Sequence, residues 1–86
     1  MVSRFWVARN KDGKYLKQGC GKYGPYWACT DEIEAAVRYD RNSKGLAVHD
    51  IESYVKTHKK AKKEDFEIVC FIAAYRELKA EKAKEE

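Results

Sequence analysis

Cationic and aromatic side chains are interleaved through the first thirty positions of the chain, in Arg4-Phe5-Trp6-Val7-Ala8-Arg9, Lys14-Tyr15-Leu16-Lys17, Lys22-Tyr23 and Tyr26-Trp27-Ala28-Cys29. Lysine and arginine neutralise phosphates or carboxylates, and tyrosine and tryptophan rings stack on bases or anchor a protein interface. Arg4, Arg9, Lys11, Lys14, Tyr15, Lys17, Lys22 and Tyr23 are therefore the first candidates for contact with a partner or a nucleic acid. Lys59, Lys60, Lys62 and Lys63 are the second group, in a run from Lys56 to Lys63 that holds no acid. Both groups have a plainer reading. Trp6 and Trp27 are assigned to the core, because a small domain must bury its largest rings, and the later lysines suit a solvated helix end, where the dipole favours cations.

Catalytic and metal chemistry find little support. Cys20 and Cys29 are separated by eight residues, and His49 and His58 stand far down the chain, a spacing unlike a zinc pattern. Burial explains Cys29 and Cys70, and no local Cys or Ser with a His suggests a nucleophile. Asp31, Glu32 and Glu34 read as the acidic first turn of a helix rather than as an acid/base or metal cluster. Gly19-Cys20-Gly21 with Gly24 lacks the Lys-Ser or Lys-Thr pair of a phosphate loop and reads as a loose hairpin loop. The expectation is a protein that is not an enzyme and needs no cofactor or metal.

Composition sets the scale of what can position these residues. Eighty-six residues make a single domain over 1–86 with a thin core, since a chain of this size buries only about 60 to 65% of its unfolded surface. Eighteen Lys and Arg stand against fourteen Asp and Glu, with the cations of the first third facing a single Asp12. No apolar run approaches the roughly 18 residues of a membrane span, and the start lacks a secretory pattern. Three unpaired cysteines suit a reducing compartment, so the expected place is the cytoplasm, that of the host cell if the chain is phage-encoded.

Alternation over 4–10 predicts a strand, with Phe5 and Val7 on one side and Arg4, Trp6 and Ala8 on the other. Asn10-Lys11-Asp12-Gly13 predicts a hairpin turn, with a second strand over about 14–19 and a third starting at Tyr26, after Pro25. Thr30 or Asp31, with Glu34 three residues after Asp31, predicts a capped helix from about 31 to 40–42, carrying Ile33, Ala36, Val37 and Tyr39. Ser43 is read as the cap of a second helix, whose stripe is Ala47, Val48, Ile51, Tyr54 and Val55. Phe66 to Ala74 suits both periodicities; a strand over about 66–71, then a helix to about 84, is preferred to one helix from Asp65. Residues 79–86 have helical composition and little to bury, and are expected to fray.

Glu34-Ala35-Ala36-Val37-Arg38-Tyr39-Asp40-Arg41, following a Tyr-Trp strand, resembles the Glu-Ala-Ala-x-x-Tyr-Asp-Arg segment of plant APETALA2-type DNA-binding domains. The resemblance covers residues 4–47 at most and implies a three-stranded sheet that reads the major groove, with this helix behind it. The family's Gly-x-Phe is replaced by Ala28-Cys29-Thr30, and its strand Arg and Trp pattern is only partly present, at Arg4, Trp6 and Arg9. Over nearly the whole chain, Val7-Ala8-Arg9-Asn10-Lys11-Asp12-Gly13-Lys14-Tyr15-Leu16-Lys17, then Trp27-x-x-Thr30-Asp31-x-Ile33-Glu34-x-Ala36, then Phe66-Glu67-Ile68-Val69, is similar to small accessory proteins of phages and bacterial mobile elements. That likeness implies a role against a host protein or complex.

The expected fold is α+β, a three- or four-stranded antiparallel sheet with one or two helices on one face and a C-terminal helix. The expected function is a non-enzymatic binding protein of phage or mobile-element type that inhibits or modulates a host protein or nucleoprotein complex, for example as an anti-defence inhibitor. The alternative is DNA binding through the N-terminal three-stranded sheet. A second copy of the chain is a further allowed partner, and a membrane is not expected.

Overall fold

Alternation and turn chemistry produce the N-terminal strands as expected. The computed structural model describes residues 4–72 and 76–82. Its strands are β1 (Arg4–Arg9), β2 (Tyr15–Gly21), β3 (Gly24–Thr30), β4 (Glu67–Ile72) and β5 (Arg76–Lys82), in one antiparallel sheet ordered β3-β2-β1-β4-β5. One α-helix, α1 (Leu46–Thr57), completes an α+β architecture with one strand more than the sequence predicts. Asn10 closes the β1–β2 turn: its Oδ1 accepts the N–H groups of Asp12 and Lys14, each at 2.9 Å, while Gly13 takes φ +82°. Glycine adopts that angle without steric cost.

The β2–β3 connection is not a loose loop. Gly19 and Gly21 lie within β2, opposite Tyr26 and Gly24, and only Lys22 and Tyr23 form the turn. Pro25 sits inside β3 opposite Cys20, tolerated because β3 is an edge strand.

The helix expected from Asp31 is absent. Residues Ile33–Ala35 form a single 3₁₀ turn without a side-chain cap, and Thr30 Oγ1 accepts the Glu32 N–H at 3.1 Å in place of a capping box. Beyond it the chain is extended. β1 and β2 pair only at Arg9 and Tyr15 and then diverge, and the following segment fills the gap: the Val37 N–H donates to Leu16 O at 3.0 Å, while Trp6 and Tyr39 exchange both backbone bonds at 2.8 Å. Two diverging strands leave unpaired donors and acceptors, and this short insertion satisfies them better than a marginal helix would.

The second helix is present but starts at Leu46, after an uncapped Gly45, because Ser43 is engaged with Asp40 instead. Ala47 and Ile51 are buried, with Val48, Tyr54 and Val55 beside them, on a core that includes Ala8, Leu16, Tyr39, Phe66 and Ile68. On the opposite sheet face Val7, Val69 and Phe71 pack with Ala36, Ile33, Phe5 and Tyr15. β4 is therefore buried on both faces, which explains its continuous apolar run. Trp6 and Trp27 both pack, half-buried, against the helix-side core.

The C-terminal helix is corrected to strand β5, paired along β4 with an irregularity between Cys70 and Phe71. Residues 79–82 of the expected frayed tail belong to this strand, and 83–86 lie outside the described residues, as do residues 73–75 of the predicted helix. Residues of high helix propensity become a strand here because β4's outer backbone edge needs a partner, and tertiary context of that kind outweighs propensities of tenths of a kcal/mol per residue. No helix among the described residues is long and apolar enough to cross a membrane.

Candidate binding surface

Four of the candidates, Arg4, Arg9, Lys14 and Lys17, do not come together as one cationic edge. Arg4 shares its side of β1 with Trp6 and Ala8, while Arg9 is on the other, where its guanidinium bridges two carboxylates. Arg9 Nη2 and Nε donate to Glu67 Oε2 at 2.8 and 3.2 Å, and Nη1 donates to Glu77 Oε1 at 3.0 Å, tying β1 to β4 and β5. These bonds, to Glu77 foremost, raise its pKa further above an already high ordinary value. Arg9 is a structural cation, and its sequence gives no hint of this because both partners are about sixty residues away.

The remaining candidates separate into four groups. Lys63 Nζ donates to Glu52 Oε2 at 2.8 Å, and Lys11 and Lys14 stand 3.8 and 3.9 Å from Asp65 and Asp31, pairs loose enough to be worth little. Tyr15 is half-buried with its ring edge-on to Phe71 at 6.3 Å. Lys59, Lys60 and Lys62 are exposed after α1, and Lys60 borders a pocket of about 260 Å³ between the stacked Tyr54 and His58 rings and the β1–β2 turn. Burial and the Cys29 thiol push the Tyr54 phenol up to about 12. The acids of 31–34 do not cap a helix, and among the described residues no three His, Cys, Asp or Glu converge.

Lys17, Lys22 and Tyr23 do share one structural unit. Beyond Leu16 no backbone among the described residues bonds the inner edge of β2, so Lys17–Gly21 and its partner on β3 form a two-stranded ribbon projecting from the sheet. Tyr23 at its tip is 95% exposed, with Lys22 Nζ 5.8 Å from its ring centre. Tyr26 is 50% exposed and lies flat over the glycines: a Cβ at position 19 would collide with its ring, and one at 21 would stand 3.3 Å from Cε1. The glycines thus seat the ring, and the ring stiffens a ribbon that would otherwise lose strand propensity there. Gly24, at φ +107°, closes the turn. From Tyr15 to Thr30 there is no carboxylate. The sequence offers Tyr26 as a ring able to stack, but its seat over Gly19 follows only once the hairpin register is known.

No protein-family model, curated protein or solved structure matches this chain.

Proposed function

We propose that the protein is a non-enzymatic binding module of phage or mobile-element type that inhibits or modulates a host protein or nucleoprotein complex, such as a defence complex, in the host cytoplasm. The β2–β3 ribbon is its docking element, and an acidic surface is its target. The carrying observation is Tyr23, left 95% exposed at the tip of an acid-free ribbon. Tyrosine gives an interface a large rigid contact at low entropic cost, and the adjoining lysines steer association toward negative charge. A stiff ribbon also loses little freedom on binding.

The test begins with a nuclease-treated pull-down from host lysate, followed by reconstitution with the purified partner. Tyr23→Ala is expected to weaken the reconstituted complex at least tenfold, the scale of one interface anchor, while leaving stability within about 0.5 kcal/mol. Recovery of nothing reproducible with and without nuclease, or a complex indifferent to Tyr23→Ala, refutes the proposal.

Duplex DNA is the second reading, favoured by one feature: a two-stranded ribbon has the width a major groove admits. The broader sheet face of the plant-domain resemblance is covered, by α1 on one side and by Ile33 and Ala36 on the other, so contact would fall to the ribbon. With Lys17 and Lys22 each neutralising a phosphate, log affinity should fall with log salt at a slope of about −1.8. An anisotropy titration without binding in low salt removes this reading.

A further inference from the structure

A second cationic and aromatic assembly lies away from the ribbon and was not legible in the sequence. Trp6 is the floor of two adjoining cavities, of about 480 and 350 Å³, which share Arg4, Trp6 and Lys44. Arg41 and Asp40 line the first, and Glu81 and Leu78 line the second. Lys44 divides them: its Nζ stands 5.5 Å from the indole centre and donates to Glu81 Oε2 at 2.6 Å.

The charges of this groove are unequally occupied. Glu81 neutralises Lys44. Asp40 is turned inward on its own loop, where Oδ1 accepts the N–H groups of Asn42 and Ser43 at 2.9 and 2.8 Å and the Ser43 hydroxyl at 2.9 Å. Those bonds, Ser43's backbone N–H first, hold the Asp40 carboxyl below its usual range. Arg4 and Arg41 are bonded to no carboxylate among the described residues. Among the described residues that line it, three cations stand against two acids, and the excess is carried by two guanidinium forks able to grip a phosphate bidentately.

The walls are also fixed. Tyr39 exchanges two 2.8 Å backbone bonds with Trp6, and the Asp40–Ser43 network follows directly, so Arg41 stands on a braced loop beside the indole. Guanidiniums placed around a half-exposed flat ring, in a cavity of the size that holds small ligands, suit a ligand with a phosphate and a planar aromatic group.

We propose that this groove binds a nucleotide, with the base against Trp6 and the phosphate on Arg4 and Arg41. The nucleotide can come free or as one unit of a single strand, and either source presents the same chemistry. The proposal is independent of the ribbon, since Arg4 and Arg41 lie outside it.

The test follows the Trp6 indole N–H by NMR in the full chain, in a Trp27→Phe background that leaves one indole signal. The probes are thymidine 5′-monophosphate, a twelve-residue oligothymidylate, inorganic phosphate and a hexaglutamate peptide. Both thymidine probes should shift the Trp6 signal, and Arg4→Gln and Arg41→Gln should each weaken binding about tenfold, the loss expected for one charge-assisted hydrogen bond. Arg41 is exposed in a loop, so its variant tests the site without a risk to folding. An oligonucleotide at least tenfold tighter than the monophosphate identifies a single strand as the ligand; equal affinity identifies the free nucleotide. The proposal is overturned if neither thymidine probe moves the signal at millimolar concentration, if inorganic phosphate or hexaglutamate binds as tightly as the monophosphate, or if Arg41→Gln leaves affinity unchanged.

Discussion

Arg9→Met distinguishes a cation that holds the fold from one that holds a ligand. The guanidinium is 20% exposed and bonded to Glu67, 31% exposed, and Glu77, 42% exposed. Methionine keeps most of the apolar stem but leaves two neighbouring carboxylates without their counter-charge. A partly buried charge-assisted bond of the Glu67 kind costs about 1.5 kcal/mol to remove, and the more solvated Glu77 pair adds about 0.5, so the expected loss is about 2 kcal/mol. A domain of this size melts about 4–8 °C lower per kcal/mol, which places the variant roughly 8–16 °C below the parent. Urea unfolding followed by far-UV circular dichroism gives the same quantity as a lower midpoint at unchanged slope. Adding Glu67→Gln and Glu77→Gln should recover much of the loss, because the uncompensated charges are then gone. Lys17→Met, on the ribbon, should change stability by less than about 0.5 kcal/mol. An Arg9→Met protein within 0.5 kcal/mol of the parent, or one that loses partner or DNA affinity at full stability, refutes the structural role.

Two further outcomes follow from particular contacts. Gly19→Ala should leave stability within about 0.5 kcal/mol, since the reduced freedom of the unfolded chain offsets the displaced Tyr26 ring, yet it should weaken partner binding several-fold; equal binding in a pull-down titration would remove Tyr26 from the docking surface. Alkaline pH should destabilise the fold through Tyr39, 4% exposed, whose phenol is held well above its ordinary value by burial and by donation to Asp50 Oδ2 at 2.6 Å, with Tyr54 acting in the same direction. A folded pKa above the unfolded value of about 10 means that this stability is complete below pH 10 and is lost above it, by about 1 kcal/mol between pH 10 and 11 for Tyr39 alone. Urea midpoints measured across that range should flatten in Tyr39→Phe, and an unchanged pH dependence would contradict the assignment.

What the sequence disclosed was whatever local pattern determines. Alternation placed β1, Asn10 to Gly13 placed the first turn, and the Ala47, Ile51 and Val55 spacing placed α1 to within three residues of its start. The run Ile68 to Phe71 was rightly read as a strand, because burial on both faces shows directly in composition. β5 was unreadable, since Arg76–Lys82 has the residues of a solvated helix and becomes a strand only through the edge of β4. The ribbon was half legible: its lysines and tyrosines were recognised, but the register that sets Tyr26 across Gly19 was hidden by reading the glycines as loop. Arg9 misled for the same reason as β5, its partners being remote.

The failed helix at 31–41 is the most consequential of these departures, because both candidate binding regions depend on what replaces it. A helix there would have left β1 and β2 free to pair along their length, with no gap to fill. Instead Val37 bonds Leu16 and Tyr39 bonds Trp6, so the inserted segment separates β2 from β1. That separation leaves the Lys17–Gly21 edge without a strand beside it among the described residues and sends the Tyr23 tip outward. The same two bonds to Trp6 set the Asp40–Lys44 loop against the indole, which is how Arg41 and Lys44 reach Arg4. Val37 and Tyr39 also put their side chains into the helix-side core, while Ala36 packs on the opposite face and Arg38 stands 4.5 Å from the Phe5 ring. Alternation of this kind belongs to a strand. The Glu-Ala-Ala-x-x-Tyr-Asp-Arg string therefore resembles a helical segment in residues while folding by strand rules, and likeness at six of eight positions carries no information about which backbone groups elsewhere are waiting to be paired.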